Sequence, residues 1–248
     1  MVGTATLAPL VRSMLKPPGA TLTRGKAVRS LLLGLLCLPF YASAINVGTL
    51  TFAMDQDQSF TAKRVLNNNR SARIYQVTLR AIDRPGDSET RSKPADGELL
   101  FAPRQLQLQA GQSEYYKFFY RGPQDNRERY YRVSFREIPT RLFDPAGQKA
   151  TGVTLEPIVV MDTILVVRPR QTNFAYRLDS QRGTVTNTGN TYFKLLIKPG
   201  CDSTDEEGVT EYLRPGDTLT HAGIRQKGQK FIIYNDKFIS IDKSCLNE

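Results

Sequence analysis

Residues 127–139, RERYYRVSFREIP, place four arginines among aromatic and aliphatic residues. In a strand every second side chain points the same way, so Tyr131 and Phe135 share one face and Arg132 lies on the other. An antiparallel strand with one face in water has this pattern. Glu137 falls on the apolar face, where a carboxylate needs a partner because its desolvation costs several kcal/mol.

The same period of two recurs along the chain, and no sustained helical period is present. The pattern breaks at residues 171–174 and then restarts. The sequence therefore predicts an all-β fold, with one domain at residues 45–170 and a second at residues 171–248. The clearest alternating segments are residues 47–55 (VGTLTFAMD), 72–82 (ARIYQVTLRAI), 105–109 (QLQLQ), 114–123 (EYYKFFYRGP) and 231–242 (FIIYNDKFISID).

The first 44 residues have the three regions of a signal peptide. Basic residues at 24–29 precede the apolar core at residues 31–40 (LLLGLLCLPF), and the small residues 42–44 (ASA) form a cleavage site. The core is too short to span a bilayer as a helix. We expect export and cleavage after Ala44, with an amphipathic or membrane-anchoring helix as the alternative. Residues 1–23 make the n-region unusually long, and Met14 is a second candidate start.

Removal of that segment changes the charge balance. It holds five of the 34 basic residues and no acidic residue, so the net charge falls from +10 to +5. The excess lies in residues 45–170, where 19 basic residues face 14 acidic ones. An exported chain with this modest charge is not expected to bind nucleic acid, although Tyr130 lies between arginines.

Two cysteines, Cys201 and Cys245, remain after cleavage, in an oxidising compartment. We expect a disulfide between them, with two free buried thiols as the alternative. The loop of 44 residues that the bond would close predicts a stabilisation on the order of 4 kcal/mol.

The sequence offers little for catalysis or metal binding. It contains one histidine, His221, and no tryptophan, and it lacks the common hydrolase and phosphate-binding motifs. The acidic residues 205–207 read better as a solvated loop than as a hydrolase pair. We therefore expect a protein that is not an enzyme and that needs no cofactor or metal.

Residues 153–170, VTLEPIVVMDTILVVRPR, are apolar on both faces of a predicted strand apart from Glu156, Asp162 and Thr163. Such a strand is either central in its sheet or has a second surface to cover.

Three motifs in order resemble one family. Residues 99–140, which end in REIP and a threonine, are similar to the central signature of the periplasmic chaperones of chaperone–usher pili. Residues 164–171 (ILVVRPRQ) resemble the last strand of their first domain, and residues 234–238 (YNDKF) resemble a motif of their second domain. The match covers nearly all of residues 45–245 and is nearest to the common-pilus branch of the family.

The resemblance implies two immunoglobulin-like sandwiches in an L arrangement. It implies a periplasmic protein that lends its last first-domain strand to pilus subunits lacking one and delivers them, without ATP, to the outer-membrane usher. Assembly of the common pilus, adhesion and biofilm formation would follow. The chain would not be embedded in a membrane and could self-associate through its apolar strand when no subunit is bound.

The resemblance also assigns residues. The donor strand has one face with Leu155, Pro157, Val159 and Met161 and another with Ile158, Val160 and Ile164, and the sequence leaves open which face enters the subunit. An ion network between the domains maps onto Glu137, Arg168 and Asp236. The basic pair that anchors the subunit's terminal carboxylate in better-known members is missing here, and Ile164 stands where its lysine is expected. Lys63, Arg64 and Arg170 are the candidates to replace this basic pair. The alternative for each is an ordinary solvated charge with no role in binding.

Two other classes remain as alternatives, a secreted pilus subunit or adhesin and a periplasmic carbohydrate-binding sandwich. A subunit normally carries a donor extension or lacks its last strand, whereas this chain begins its strand pattern near Val47. A sugar binder usually presents exposed tryptophan or clustered tyrosine at loop tips, and the tyrosines here lie within strands.

Overall fold

The computed structural model describes residues 45–86, 88–140, 157–242 and 244–245. The predicted signal peptide and its cleavage position after Ala44 lie outside these residues. Within them, regular structure is nearly all strand, with a short 3-10 helix at Ala222–Ile224. The described residues include no helix with the length and apolar character needed to cross a bilayer.

The first sandwich is made of two sheets. One sheet has the order β2 (Phe60–Leu66), β7 (Ser113–Tyr120) and β5 (Leu99–Ala102). The other has the order β1 (Thr51–Met54), β9 (Val159–Val167), β8 (Arg129–Pro139), β3 (Arg73–Ile82) and β4 (Arg91–Ser92), and β6 (Gln105–Leu108) also pairs with β3. Strand β1 runs parallel to β9, whereas β9 and β8 are antiparallel.

The core of this sandwich lies between the two sheets. The predicted alternation is confirmed in β8, where Tyr131, Val133 and Phe135 are buried and Arg136 is exposed. The ring of Phe135 packs edge-on against Tyr116 of the facing sheet, with 5.8 Å between centroids. Each such side chain contributes roughly 1.5–3 kcal/mol through burial, so this face of β8 helps to hold the two sheets together.

The chain enters the first sandwich by switching sheets. Asn46 exchanges two backbone hydrogen bonds with Leu66 of β2, after which the chain crosses over and joins β9 as β1. Gly48 stands at the crossover with φ of +66°, a conformation that costs other residues strain. This crossover brings β1 to the edge of β9.

The second sandwich repeats the two-sheet plan. One sheet has the order β10 (Tyr176–Asp179), β11 (Thr184–Asn187) and β14 (Thr218–Thr220), and the other has β13 (Val209–Leu213), β12 (Phe193–Ile197), β15 (Lys230–Tyr234) and β16 (Lys237–Ser240). Phe193, Leu195 and Ile232 form the centre of its core. The predicted all-β class with two immunoglobulin-like sandwiches is confirmed, and the boundary at residues 170 and 171 stays a prediction.

A two-residue turn joins β15 to β16. Asn235 and Asp236 both have positive φ, at 48° and 57°. A tight hairpin of this length favours such angles because they match the twist of the paired strands, and Asn and Asp tolerate them better than most residues. The turn therefore fixes where Asp236, one of the predicted network residues, can lie.

The predicted disulfide is confirmed. Cys201 and Cys245 are bonded, with 5.5 Å between their Cα atoms. Nearby, the buried ammonium of Lys230 pairs with Asp242 and donates to the carbonyl oxygens of Gln226 and Gly228. The last segment of the second sandwich is thus held by one covalent and one ionic contact.

The double variant Cys201→Ser, Cys245→Ser should lower the free energy of unfolding by about 4 kcal/mol, because the unfolded chain regains the entropy of an open 44-residue loop. Guanidinium unfolding followed by tyrosine fluorescence measures this loss. Reductant should lower the midpoint of the native chain and leave that of the variant unchanged. Equal midpoints for the two oxidised chains would contradict the prediction.

Candidate functional site

Strand β9 is paired along its full length on one side only. On that side β8 runs antiparallel, from Glu137 opposite Val159 to Arg129 opposite Val167. On the other side β1 pairs only with the part from Ile164 onward. Within the described residues, positions 159–163 therefore have one unpaired backbone edge, called the free edge below.

The direction of the backbone groups on the free edge follows from the neighbouring bonds. The N–H of Ile164 donates to the carbonyl oxygen of Leu50 at 2.8 Å, so it points toward β1. Amides two residues apart in a strand point to the same edge. The N–H groups of Val160 and Asp162 therefore point out from the free edge, where they can bond an added strand.

The side chains of residues 158–161 are apolar on both faces of β9, whereas Asp162, on the outer face, accepts a hydrogen bond from Ser134. Ile158 and Val160 are 43% and 58% exposed on the outer face of the sheet. Val159 and Met161 point inward, where they are only partly buried at the margin of the first core. An added strand would thus meet apolar groups as well as unpaired backbone.

The structure divides the predicted donor residues into four groups. Leu155 lies outside the described residues, and Pro157 and Ile158 directly precede β9. Val159, Val160 and Met161 lie on the free edge. Ile164 has to be corrected, because β1 covers its edge and its side chain is 8% exposed in a cluster with Tyr130.

At the covered end of β9, Arg168 joins the two sandwiches. Its guanidinium carbon lies 4.6 Å from the ring centroid of Tyr192 and 5.0 Å from that of Tyr234, both in the second sandwich. Its Nε lies 3.1 Å from Asp55 Oδ1, a charge contact without the alignment of a hydrogen bond. The residue is 5% exposed, so its charge is compensated by these neighbours rather than by water.

The carboxylate of Glu128, which directly precedes β8, completes this joint. Arg168 Nη1 donates to Thr191 Oγ1, and that hydroxyl donates to Glu128 Oε2 at 2.7 Å. The N–H of Tyr192 also donates to Glu128, at 3.0 Å. Burial raises the pKa of Glu128, while hydrogen bonds from Tyr130, Thr191 and Tyr192 and the charge of Arg168 oppose the rise. Arg168, Asp55, Glu128, Thr191 and Tyr192 are called the domain joint below.

The predicted role of Glu137 is wrong. Its carboxylate accepts hydrogen bonds from Asn69 Nδ2 at 2.9 Å and Tyr75 OH at 3.0 Å, and Arg73 lies 3.6 Å away. Arg129 is opposite Val167, next to Arg168, and Glu137 lies eight residues farther along β8, a distance of about 27 Å. It therefore cannot reach Arg168, and it serves inside the first sandwich.

Asp236 lies beside the domain joint without being the acid that pairs with Arg168. In the described part of the chain that acid is Asp55. The charge of Asp236 acts on Tyr192, whose pKa rises to about 12 mainly because of burial, with Arg168 opposing the rise. The network expected from the sequence thus keeps Arg168, replaces Glu137 with Glu128, and places Asp236 at its border.

The three candidate carboxylate anchors lie in different places. Arg64 bonds Ser113 on the outer surface of the first sheet. Arg170 donates to the carbonyl oxygens of Gln56 and Gln58 and packs against Tyr120, at the covered end of β9. Lys63 is 6% exposed and points into the first sandwich.

Glu128→Ala should lower the free energy of unfolding by about 3 kcal/mol, because it leaves Thr191 and the Tyr192 N–H without their acceptor and weakens compensation of Arg168. The two sandwiches should then unfold in separate steps, which calorimetry of the native chain and variant would resolve.

Glu137→Gln is the matched control, since it changes a buried carboxylate of the same strand region far from the joint. It should lower the unfolding temperature of the chain while the two sandwiches still unfold in one shared transition. A single shared transition in Glu128→Ala together with separated transitions in Glu137→Gln would contradict the assignment.

Comparisons with known proteins agree with this architecture. The family described as pili and flagellar-assembly chaperone, PapD N-terminal domain, matches residues 44–173. The chain is 59% identical to the probable fimbrial chaperone EcpE of Escherichia coli O18:K1:H7 (strain IHE3034 / ExPEC), over 90% of this chain and 95% of the relative. It is 34% identical to the probable fimbrial chaperone EcpB of Escherichia coli O157:H7 (strain EC4115 / EHEC), over 81% of this chain and 92% of the relative.

Among solved structures, the E. coli chaperone DraB has the same fold, with a TM-score of 0.51 at 16% identity over 81% of this chain and 98% of that chain. The family match covers more than half of the chain, and the 59% relative is covered almost completely. The chain belongs to the family of pili and flagellar-assembly chaperones.

Proposed function

We propose that this chain is a periplasmic chaperone that lends strand β9 to pilus subunits and delivers them to the outer-membrane usher. The role is non-enzymatic and uses no ATP, since the favourable step is the pairing of two exposed strand edges and the burial of apolar side chains. Relatives named as probable fimbrial chaperones support the class of substrate. The predicted signal peptide supports the compartment.

The observation that carries the proposal is the free edge of β9. A subunit that lacks its last strand exposes an apolar groove and unpaired backbone, which together favour aggregation. Residues 159–163 offer outward N–H groups, and residues 159–161 offer apolar side chains on both faces, with Val160 the most exposed. The edge could also pair two copies of this chain when no subunit is present.

The domain joint gives this edge a fixed end. Arg168 follows β9 directly and is held by Thr191 and Tyr192 of the second sandwich. Because β1 covers β9 from Ile164 onward, an added strand must end or turn at that residue. The chaperone thus sets both the place and the length of the pairing.

Lys63 is the best placed of the three candidate anchors for a subunit's terminal carboxylate. Its Nζ donates to Thr49 Oγ1 at 3.1 Å and to the Thr49 carbonyl oxygen, and it lies 4.7 Å from the ring centroid of Phe52. Thr49 precedes Leu50, which bonds Ile164, so the ammonium lies near the end of the free edge.

The charge of Lys63 supports the same role. Burial lowers its pKa, and no carboxylate of the described residues lies within ion-pair distance of it. A carboxylate brought by a bound subunit would supply the missing counter-charge and favour the protonated form.

Val160→Pro should weaken strand donation while the chaperone stays folded. Proline removes an N–H that points out from the free edge, and such positions tolerate proline in edge strands. We expect the affinity for a pilus subunit assembled by the same chaperone–usher system to fall at least tenfold, as measured by isothermal titration calorimetry. Val160→Thr keeps the N–H and the branched shape and should bind normally. Unchanged binding by a folded Val160→Pro chain would refute strand donation.

Lys63→Met should weaken subunit binding by about tenfold without unfolding the chain, since the substitution keeps the aliphatic stem and removes one charge-assisted contact. Arg64→Met, at the neighbouring exposed position, should bind as the native chain does. The same titration measures both variants. Equal affinity of Lys63→Met and native chain would remove Lys63 as the anchor.

A further inference from the structure

A cavity of about 300 Å³ lies where the outer face of β9 meets the second sandwich. Ile164 and Val166 of β9 and Tyr130 of β8 line one wall, and Tyr192 and Tyr212 line the other. The rings of Tyr192 and Tyr212 are stacked, with 6.2 Å between centroids. Its walls are thus mainly aromatic and aliphatic, and its volume is at the lower end for small-ligand sites.

The charged groups at this cavity and the hydroxyl of Tyr130 are already engaged. Arg214 Nε and Nη2 both donate to the carboxylate of Asp217, at 2.8 and 3.1 Å. The hydroxyl of Tyr130 donates to Glu128. The cavity therefore offers ring edges and methyl groups to a ligand, and the guanidinium of Arg214 is already paired with a carboxylate.

The position of the cavity relates it to the free edge. Ile164 and Val166 lie on the same outer face of β9 as Ile158 and Val160, because all four are separated by even numbers of residues. The free edge ends at Ile164, where Thr51 of β1 takes over the pairing, and both residues line the cavity. A strand paired with residues 159–163 thus ends at the mouth of the cavity.

We propose that this cavity takes one bulky apolar side chain, preferably aromatic, from the end of the strand that pairs with the free edge. The inference rests on the proposed function and adds to it a specificity pocket. An aromatic ring can pack against the edges of Tyr192 and Tyr212, whose faces already contact each other, and the volume suits one side chain rather than a peptide. Subunits with a small or charged residue at that place would be bound more weakly.

The absence of tryptophan from the 248 residues gives a clean test. N-acetyl-L-tryptophanamide is titrated with the mature chain, and its emission reports only the probe. We expect saturable binding with a Kd of about 1 mM or tighter and a blue shift as the indole leaves water. Tyr212→Ala should weaken binding at least tenfold, and Tyr212→Phe should retain it.

Tyr115→Ala is the matched control, because Tyr115 is 51% exposed on β7 of the first sandwich and Tyr212 is 48% exposed on β13 of the second. It should bind the probe as the native chain does. No saturable binding, or equal binding by native chain and Tyr212→Ala, would overturn the pocket.

The experiments distinguish failure of the proposed pocket from failure of the proposed strand donation. Val160→Pro should still bind N-acetyl-L-tryptophanamide while losing the pilus subunit. If that variant loses the subunit and the native chain does not bind the probe, the pocket is refuted and strand donation stands. If the probe binds and Val160→Pro keeps the subunit, strand donation is refuted.

Discussion

The position of β9 relative to the second sandwich depends on the contacts of the buried guanidinium of Arg168. A cation with 5% exposure is costly unless its charge is balanced and its donors are used. Asp55 of the first sandwich supplies the negative charge that balances this guanidinium. In the second sandwich, Thr191 accepts a hydrogen bond from it, and the rings of Tyr192 and Tyr234 pack against it. Since Arg168 follows β9 directly, this balance fixes the end of that strand against the second sandwich.

The two ends of β9 are consequently unlike. Its later residues are covered by β1 on one side and β8 on the other and carry the joint. Its earlier residues keep one edge unpaired and present Val160 to solvent. Proteins normally protect such edges because they pair with other chains, so an apolar edge held in place by a rigid joint is well suited to a binding role. The cavity at Ile164 lies at the boundary between the two ends.

Much of the fold was predictable because period-two alternation depends only on which residues face a core. Tyr131 and Phe135 lie inward as the pattern in β8 predicts, and Cys201 pairs with Cys245 as an oxidising compartment favours. The parallel pairing of β1 was not predictable, because alternation gives the face of a strand and not its neighbour. The exposed Leu50 is a consequence of that crossover.

The error about Glu137 arose because the family resemblance assigned this glutamate to the ion network by its motif, without knowledge of the strand register. The stretch at residues 127–139 contains two glutamates, and the pattern identified the one beside the core, which does need partners. Which carboxylate meets Arg168 depends on the antiparallel register of β8 and β9, and that register places Arg129 opposite Val167. Glu128 is therefore next to Arg168, while Glu137 is at the far end. Neither register nor the packing of Thr191 against the joint can be read from one sequence.

Amide hydrogen exchange of β9, resolved by residue with NMR, tests strand donation most directly. In the free chaperone the amides of Val160 and Asp162 should exchange fast, while that of Ile164, bonded to Leu50, should be protected. In the complex with a pilus subunit, Val160 and Asp162 should become protected to a similar degree. Protection of both amides in the free, monomeric chain, or fast exchange of both in the complex, would contradict the account.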